Sequence, residues 1–207
     1  MTAAAAADMP ALRALPARLR GALPANPNAL QREAFPLILT TRDNIVISAP
    51  TGAGKSATLH CALVAALASQ AATATAAVYV CPSRALCQLQ AEGFKSRFEP
   101  LGVRVLVRTG DDEDSTTTTT TTTTSNHSLS HTLMCTTPEK YEAMLRHAAS
   151  LAPGTTTLLL IDEVHHLGEM ERGATLEVLM TRALLQPNAP RIVAVSATVP
   201  NVADVAR

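Results

Sequence analysis

Short apolar runs alternate along the chain with longer stretches whose apolar residues return every three or four positions. The runs are 44–49 (NIVISA), 76–81 (AAVYVC), 103–108 (VRVLVR), 132–137 (TLMCTT), 155–162 (TTTLLLID) and 191–197 (RIVAVSA). Near-continuous apolarity over a few residues, rich in β-branched types and bounded by turn formers, predicts strands buried on both faces. Between them, 28–39, 56–68, 83–98, 138–149 and 174–185 predict helices. In the last, Leu176, Leu179, Met180, Ala183 and Leu184 share one face. Pro36 is expected to interrupt or bend the first helix, and Pro138 to sit in the first turn of the fourth. Strands alternating with helices give an α/β fold, a mostly parallel sheet with helices on both faces.

Two segments break the rhythm. Residues 111–131 hold an acidic stretch, a threonine tract at 116–124 and a Ser/His-rich end. They cannot bury a core and predict a solvated insertion. Residues 1–14, alanine-rich and aperiodic, predict a disordered lead-in rather than a targeting segment, so the folded domain is expected over 15–207. No uncharged apolar run reaches the roughly 18 residues of a membrane span.

Composition narrows the partners. Aromatic residues make up 2% of the chain, too few for a base-stacking platform, so any contact with nucleic acid should fall on phosphates. The formal net charge is +0, which leaves a local basic stripe as the means of attraction. Cys61, Cys81, Cys87 and Cys135 form no CxxC pair and read as reduced, buried thiols.

In such sheets ligands lie beyond the carboxyl ends of the strands, where the candidate chemistry falls. After the first strand comes Ala49-Pro50-Thr51-Gly52-Ala53-Gly54-Lys55-Ser56, a glycine-bearing loop opening a helix. Its backbone N–H groups would cradle phosphates, Lys55 would reach the β- and γ-phosphates of ATP, and Ser56 would ligate Mg²⁺. Alanine stands at position 49 where the strict pattern has glycine. Asp162 closes a second buried strand and would hold the metal, while Glu163 beside it would polarise the attacking water. His165 and His166 are adjacent, which directs them apart in a strand or helix and disfavours a shared zinc ion.

PTGAGKS, DEVH and Ser196-Ala197-Thr198, in that order, resemble motifs I, II and III of superfamily 2 DExH-box helicases. The resemblance runs from about Leu15 onward. NALQREAF resembles the adenine-reading Q motif, though Pro27 stands where related sequences often carry an aromatic. CPSRALCQLQAEGFKSRFEPLGVRVLVRTGD and TTPEKYEAM resemble the strand-contacting motifs of the Ski-two-like group. ERGATLEVLMTR and RIVAVSATVPNVADVA are most similar to the meiotic crossover helicases of the Mer-three type, with spliceosomal RNA helicases as near neighbours.

The resemblance implies a RecA-like P-loop domain, ATP and Mg²⁺ as cofactors, and single-stranded or branched DNA as partner. Gln31 would bind adenine, and Pro50 to Ser56 the phosphates. His165 would couple hydrolysis to Ser196, Ala197 and Thr198, and Pro82, Arg84, Thr109, Gly110, Thr137 and Pro138 would line the nucleic-acid side. Arg172 and Gly173 match the pattern, with helix packing and function equally open. A nuclear location, 3′–5′ movement and a second RecA-like domain supplying arginines across the cleft are further implications. Residues 1–207 alone are therefore expected to turn ATP over slowly. An RNA helicase of the same group, or a non-catalytic binding module, are the alternatives.

Overall fold

Which face of the sheet a side chain meets is decided by its parity along the strand. The computed structural model describes residues 9–69, 75–110, 131–146, 156–168 and 172–197. Six strands, β1 (Ile45–Ser48), β2 (Ala76–Val80), β3 (Val103–Arg108), β4 (His131–Thr136), β5 (Leu158–Ile161) and β6 (Arg191–Ser196), form one sheet in the order β1-β6-β5-β2-β4-β3. Every pairing is parallel. Alternate residues feed two cores. Ala77, Tyr79, Leu133, Cys135, Leu158, Leu160, Val193 and Val195 face one side, and Val78, Val80, Met134, Leu159, Ile161, Ile192 and Ala194 the other.

The first core is closed by α3 (Ala29–Thr40), α4 (Lys55–Ser69) and α5 (Arg84–Phe98), together with α1 (Pro10–Arg13) and α2 (Ala17–Arg20). The second is closed by α6 (Pro138–Arg146) and α7 (Arg172–Leu184). Leu176, Leu179 and Ala183 face the sheet as their spacing predicts, whereas Leu184 is exposed. Buried Glu142 ties α6 to α7 by pairing with Arg146 on its own helix and with Arg182 at 3.6 Å. Among the described residues no helix is long and apolar enough to cross a membrane.

Three expectations change. The fold begins before Leu15: Met9 and Leu12 are buried with Leu15 and Leu19 in the first core, and α1 is a single turn too short to show a period. Of the two outcomes expected of Pro36, interruption is not seen: α3 continues through it to Thr40. A proline inside a helix costs about 3 kcal/mol. Phe35 and Ile38, both 0% exposed, bury on either side of it, and the Thr40 and Thr41 hydroxyls donate to the Pro36 and Leu37 carbonyls. His131 belongs to β4 rather than to the preceding segment, its Nδ1 accepting from the Thr75 N–H at 3.0 Å. The insertion at 111–130 and Thr198 lie outside the described residues.

Candidate nucleotide-binding site

All the strands run the same way, so the loops after them share one end of the sheet. Across it, the order is the phosphate loop after β1, Ser196-Ala197 after β6, Asp162-Glu163 after β5, Pro82-Arg84 after β2, Thr137-Pro138 after β4, and Thr109-Gly110 after β3. The residues expected to bind nucleotide thus occupy one half of the edge and those expected to contact a strand the other.

In the phosphate loop, Gly52 and Gly54 take φ values of 81° and 86°, a left-handed backbone that glycine adopts without steric cost. Gly54 is closely enclosed as well, since a Cβ there would lie 2.5 Å from Gln31 Nε2 and 2.9 Å from Asn28 Nδ2. Those two amides hold the loop by its carbonyls: Asn28 Nδ2 donates to Ala53 O at 2.9 Å and Gln31 Nε2 to Gly54 O at 3.2 Å. The same residues cap α3 reciprocally. Gln31 N–H donates to Asn28 Oδ1 at 3.0 Å, and Asn28 N–H to Gln31 Oε1 at 3.1 Å. Gln31 is 6% exposed, so its amide is engaged with the loop at one end and the cap at the other. Asn28 was not foreseen as a loop contact. Its signal was the N-cap pattern Asn-x-x-Gln.

Lys55 is 8% exposed and donates to the Ala49 and Pro50 carbonyls at 2.9 and 3.4 Å. Its ammonium is thereby held at the loop's inner edge. Ser56, in the first turn of α4, is exposed, as are Pro50, Thr51 and Gly52.

Asp162 is fixed through both oxygens. Oδ2 accepts from the Tyr79 hydroxyl at 2.6 Å, and Oδ1 from the Glu163 N–H at 3.0 Å. Burial pushes this carboxyl up from its ordinary range, while the Tyr79 hydrogen bond and the charge of Lys55 pull it back. Glu163 has φ 51°, an uncommon conformation for a residue with a side chain, costing about 1–3 kcal/mol. Its Oε2 is buried without a hydrogen-bond partner among the described residues, and lies 3.2 Å from His165 Nδ1.

His165 Nδ1 accepts from the Ala197 N–H at 3.4 Å. That bond requires an unprotonated Nδ1, whereas pairing with Glu163 requires a proton there, so the two partners compete for one nitrogen. Ala197 is also held from β1, its carbonyl accepting from the Ser48 hydroxyl at 3.1 Å. Ser196 is buried at the end of β6. Val164–Gly168 is a 3₁₀ helix, and in it the two histidines do not diverge: their rings stack with centroids 4.6 Å apart.

On the other half of the edge, Pro82, Ser83, Arg84, Gly110, Thr137, Glu139, Lys140 and Ala143 line an open groove of about 480 Å³. Four of the expected strand-side residues are in it. Pro138 instead borders a smaller cleft with Asp162, Glu163 and His166, and Thr109 lines neither. Gly110, at φ 84°, lies against the Arg84 guanidinium, where a Cβ would come within 3.0 Å of Nη1. Lys140, the second cation of the groove, was not foreseen because its helix spacing does not distinguish it from a solvated lysine.

The donor set fits ATP with Mg²⁺: a carbonyl-anchored loop opening a helix, an exposed Ser56, a pinned carboxylate at Asp162, and a Glu163 oxygen without a hydrogen-bond partner among the described residues. The DEAD/DEAH box helicase family model matches residues 28–205. The chain is 32% identical over 202 residues to the ATP-dependent DNA helicase homolog MER3 of Arabidopsis thaliana, a match covering 86% of this chain and 17% of that protein. It is 33% identical over 217 residues to the probable ATP-dependent DNA helicase HFM1 of Homo sapiens, covering 96% of this chain and 14% of that protein. Against the pre-mRNA-splicing factor brr2 of Schizosaccharomyces pombe it is 32% identical over 192 residues, 86% of this chain and 8% of that protein. The chain therefore spans a small fraction of the length of these relatives. Since the family model covers the phosphate loop, the carboxylate pair and the groove alike, this chain belongs to the DEAD/DEAH box helicase family.

Proposed function

We propose that residues 1–207 hold the ATP-binding half of an ATP-dependent DNA helicase, a RecA-like domain that couples ATP hydrolysis to movement along a single strand. The observation that carries this is the order of loops along one sheet edge. Lys55 and Asp162 stand on the β1–β5 side, where His165 Nδ1 lies within reach of both Glu163 after β5 and Ala197 after β6, and the groove stands on the adjoining β2–β3 side.

The phosphate loop's N–H groups and Lys55 bind the nucleotide's phosphates, and Lys55 leaves the Ala49 carbonyl to do so. Ser56 and Asp162 hold Mg²⁺, which offsets phosphate charge when bound. Glu163 Oε2 orients the attacking water in place of its 3.2 Å contact with His165 Nδ1. His165, released from Glu163, keeps its bond to Ala197 and passes the state of the γ-phosphate to β6. Gln31 reads adenine through the amide valences left by the cap and the loop. Arg84 and Lys140 neutralise backbone phosphates of the strand in the groove.

Among the relatives, MER3 and HFM1 are named as DNA helicases and brr2 as a splicing factor. We assign single-stranded or branched DNA as substrate, movement 3′–5′, a nuclear location and a role in meiotic recombination, with a second RecA-like domain as working partner. RNA is the second reading, carried by the comparable identity to brr2.

The test uses a fluorescent ATP analogue and labelled strands. Lys55→Ala should abolish nucleotide binding, and Glu163→Gln should retain it while losing hydrolysis. Unchanged hydrolysis in Glu163→Gln would remove Glu163 from its role, and no Mg²⁺-dependent nucleotide binding by the parent chain would leave only a binding module. Tighter binding to an RNA strand than to DNA of equal sequence would favour the second reading.

A further inference from the structure

We propose that Tyr79 is a positioning residue for the metal-side carboxylate, setting the orientation in which Asp162 meets Mg²⁺; this rests on the nucleotide site proposed above. Tyr79 is the Cα partner of Leu160 in the β2–β5 pairing, and the ladder continues past Ile161, since Asp162 N–H donates to Val80 O at 2.9 Å. Strand parity therefore puts the Asp162 side chain on the same face as Leu160 and Tyr79. The phenol spans the offset of two residues, and its hydroxyl reaches Asp162 Oδ2 at 2.6 Å.

The rest of the ring is fixed. Tyr79 is 1% exposed and its ring meets Phe94 edge-on, with centroids 5.1 Å apart. Phenylalanine would fill the same space, so packing alone does not call for the hydroxyl. A buried hydroxyl without a partner is costly, and in this layer the acceptor it finds is a carboxylate oxygen. With Oδ1 held by the Glu163 N–H, the carboxylate is pinned at both oxygens. Without the hydroxyl it turns about χ2 and presents the metal with a spread of orientations. The effect belongs to Mg²⁺ and leaves nucleotide contacts made by the loop alone untouched.

The experiment compares the parent chain, Tyr79→Phe, Phe94→Leu and Asp162→Ala by thermal melting and by binding of a fluorescent ATP analogue, first in EDTA and then across a Mg²⁺ titration. Tyr79→Phe should keep the EDTA affinity and raise the Mg²⁺ half-point by about five- to tenfold, the scale of the net contribution of one intramolecular hydrogen bond. Phe94→Leu, which loosens the ring contact but keeps the hydroxyl, should lower the melting temperature without moving that half-point. A half-point for Tyr79→Phe within about twofold of the parent, or an equal shift in Phe94→Leu, would overturn the proposal. Asp162→Ala separates the two levels: if it keeps the parent's Mg²⁺ response, the metal role of Asp162 itself fails, and that of Tyr79 with it.

Discussion

Glu163 concentrates two costs in one residue, a left-handed backbone at φ 51° and a buried oxygen without a hydrogen-bond partner among the described residues. Both are expected where function rather than stability selects the residue. Glu163→Gly should therefore raise stability by roughly 0.5–1 kcal/mol in denaturant unfolding, the relief being partly offset by the freer unfolded chain. Hydrolysis should be lost in the same variant. An unfolding midpoint below that of the parent chain would show that the conformation carries no strain. His60 makes a different residue-scale prediction. Burial against Phe94 and Phe98, and secondarily the charge of Arg97, lower its pKa from 6.5 to about 4. The unfolded chain then binds one more proton than the folded chain between those values, so His60's contribution to stability is present above 6.5 and is lost as pH falls towards 4. Asp162, raised by burial, pulls the other way. The difference between the parent and His60→Leu isolates His60. Melts at pH 7.5 and 5 should show a smaller acid loss in the variant.

The elements were legible where a period or an apolar run was long enough to read. β5, four residues buried on both faces, is visible as LLLI, and the loop opening α4 as two glycines before Lys55. What stayed hidden depends on partners distant in the chain. Nothing near Tyr79 announces Asp162, which lies 83 positions away, and nothing near Pro36 announces that Phe35 and Ile38 bury deeply enough to carry the helix past it. Gly173 is the instructive intermediate. It could be noticed as a glycine opening a helix, yet its reason is a close approach: a Cβ would stand 2.2 Å from Leu167 O, where α7 meets the 3₁₀ helix that carries His165. Backbone on both sides leaves no flexible side chain to yield. Gly173→Ala should cost about 1–3 kcal/mol in denaturant unfolding, in the range of overpacking. It should also displace His165 from Ala197, reducing strand-stimulated hydrolysis while nucleotide affinity, set at β1, is kept. Full stimulation in a destabilised variant would confine Gly173 to packing.

At the scale of the whole molecule, the formal charge of +0 means that no net charge draws a strand in, and attraction falls to local cations such as those of the groove. Hydrolysis shares this dependence on local groups. For residues 1–207 alone we expect turnover roughly 10³-fold below that of the same residues joined to a domain supplying an arginine to the γ-phosphate. Strand binding can be tested on the isolated chain without that domain. Arg84 and Lys140 are the two cations lining the groove. Each phosphate neutralised on a single strand contributes about −0.7 to the slope of log affinity against log salt. Two contacts predict a slope of about −1.4, and Lys140→Ala should bring it to about −0.7 while lowering affinity by a similar factor for every base sequence. Fluorescence anisotropy with a labelled oligonucleotide at several salt concentrations measures both. A slope near −3 would mean about four neutralised phosphates. The strand would then have to continue over the outer face of β3, where Arg104 and Arg108 are exposed, rather than end at the groove.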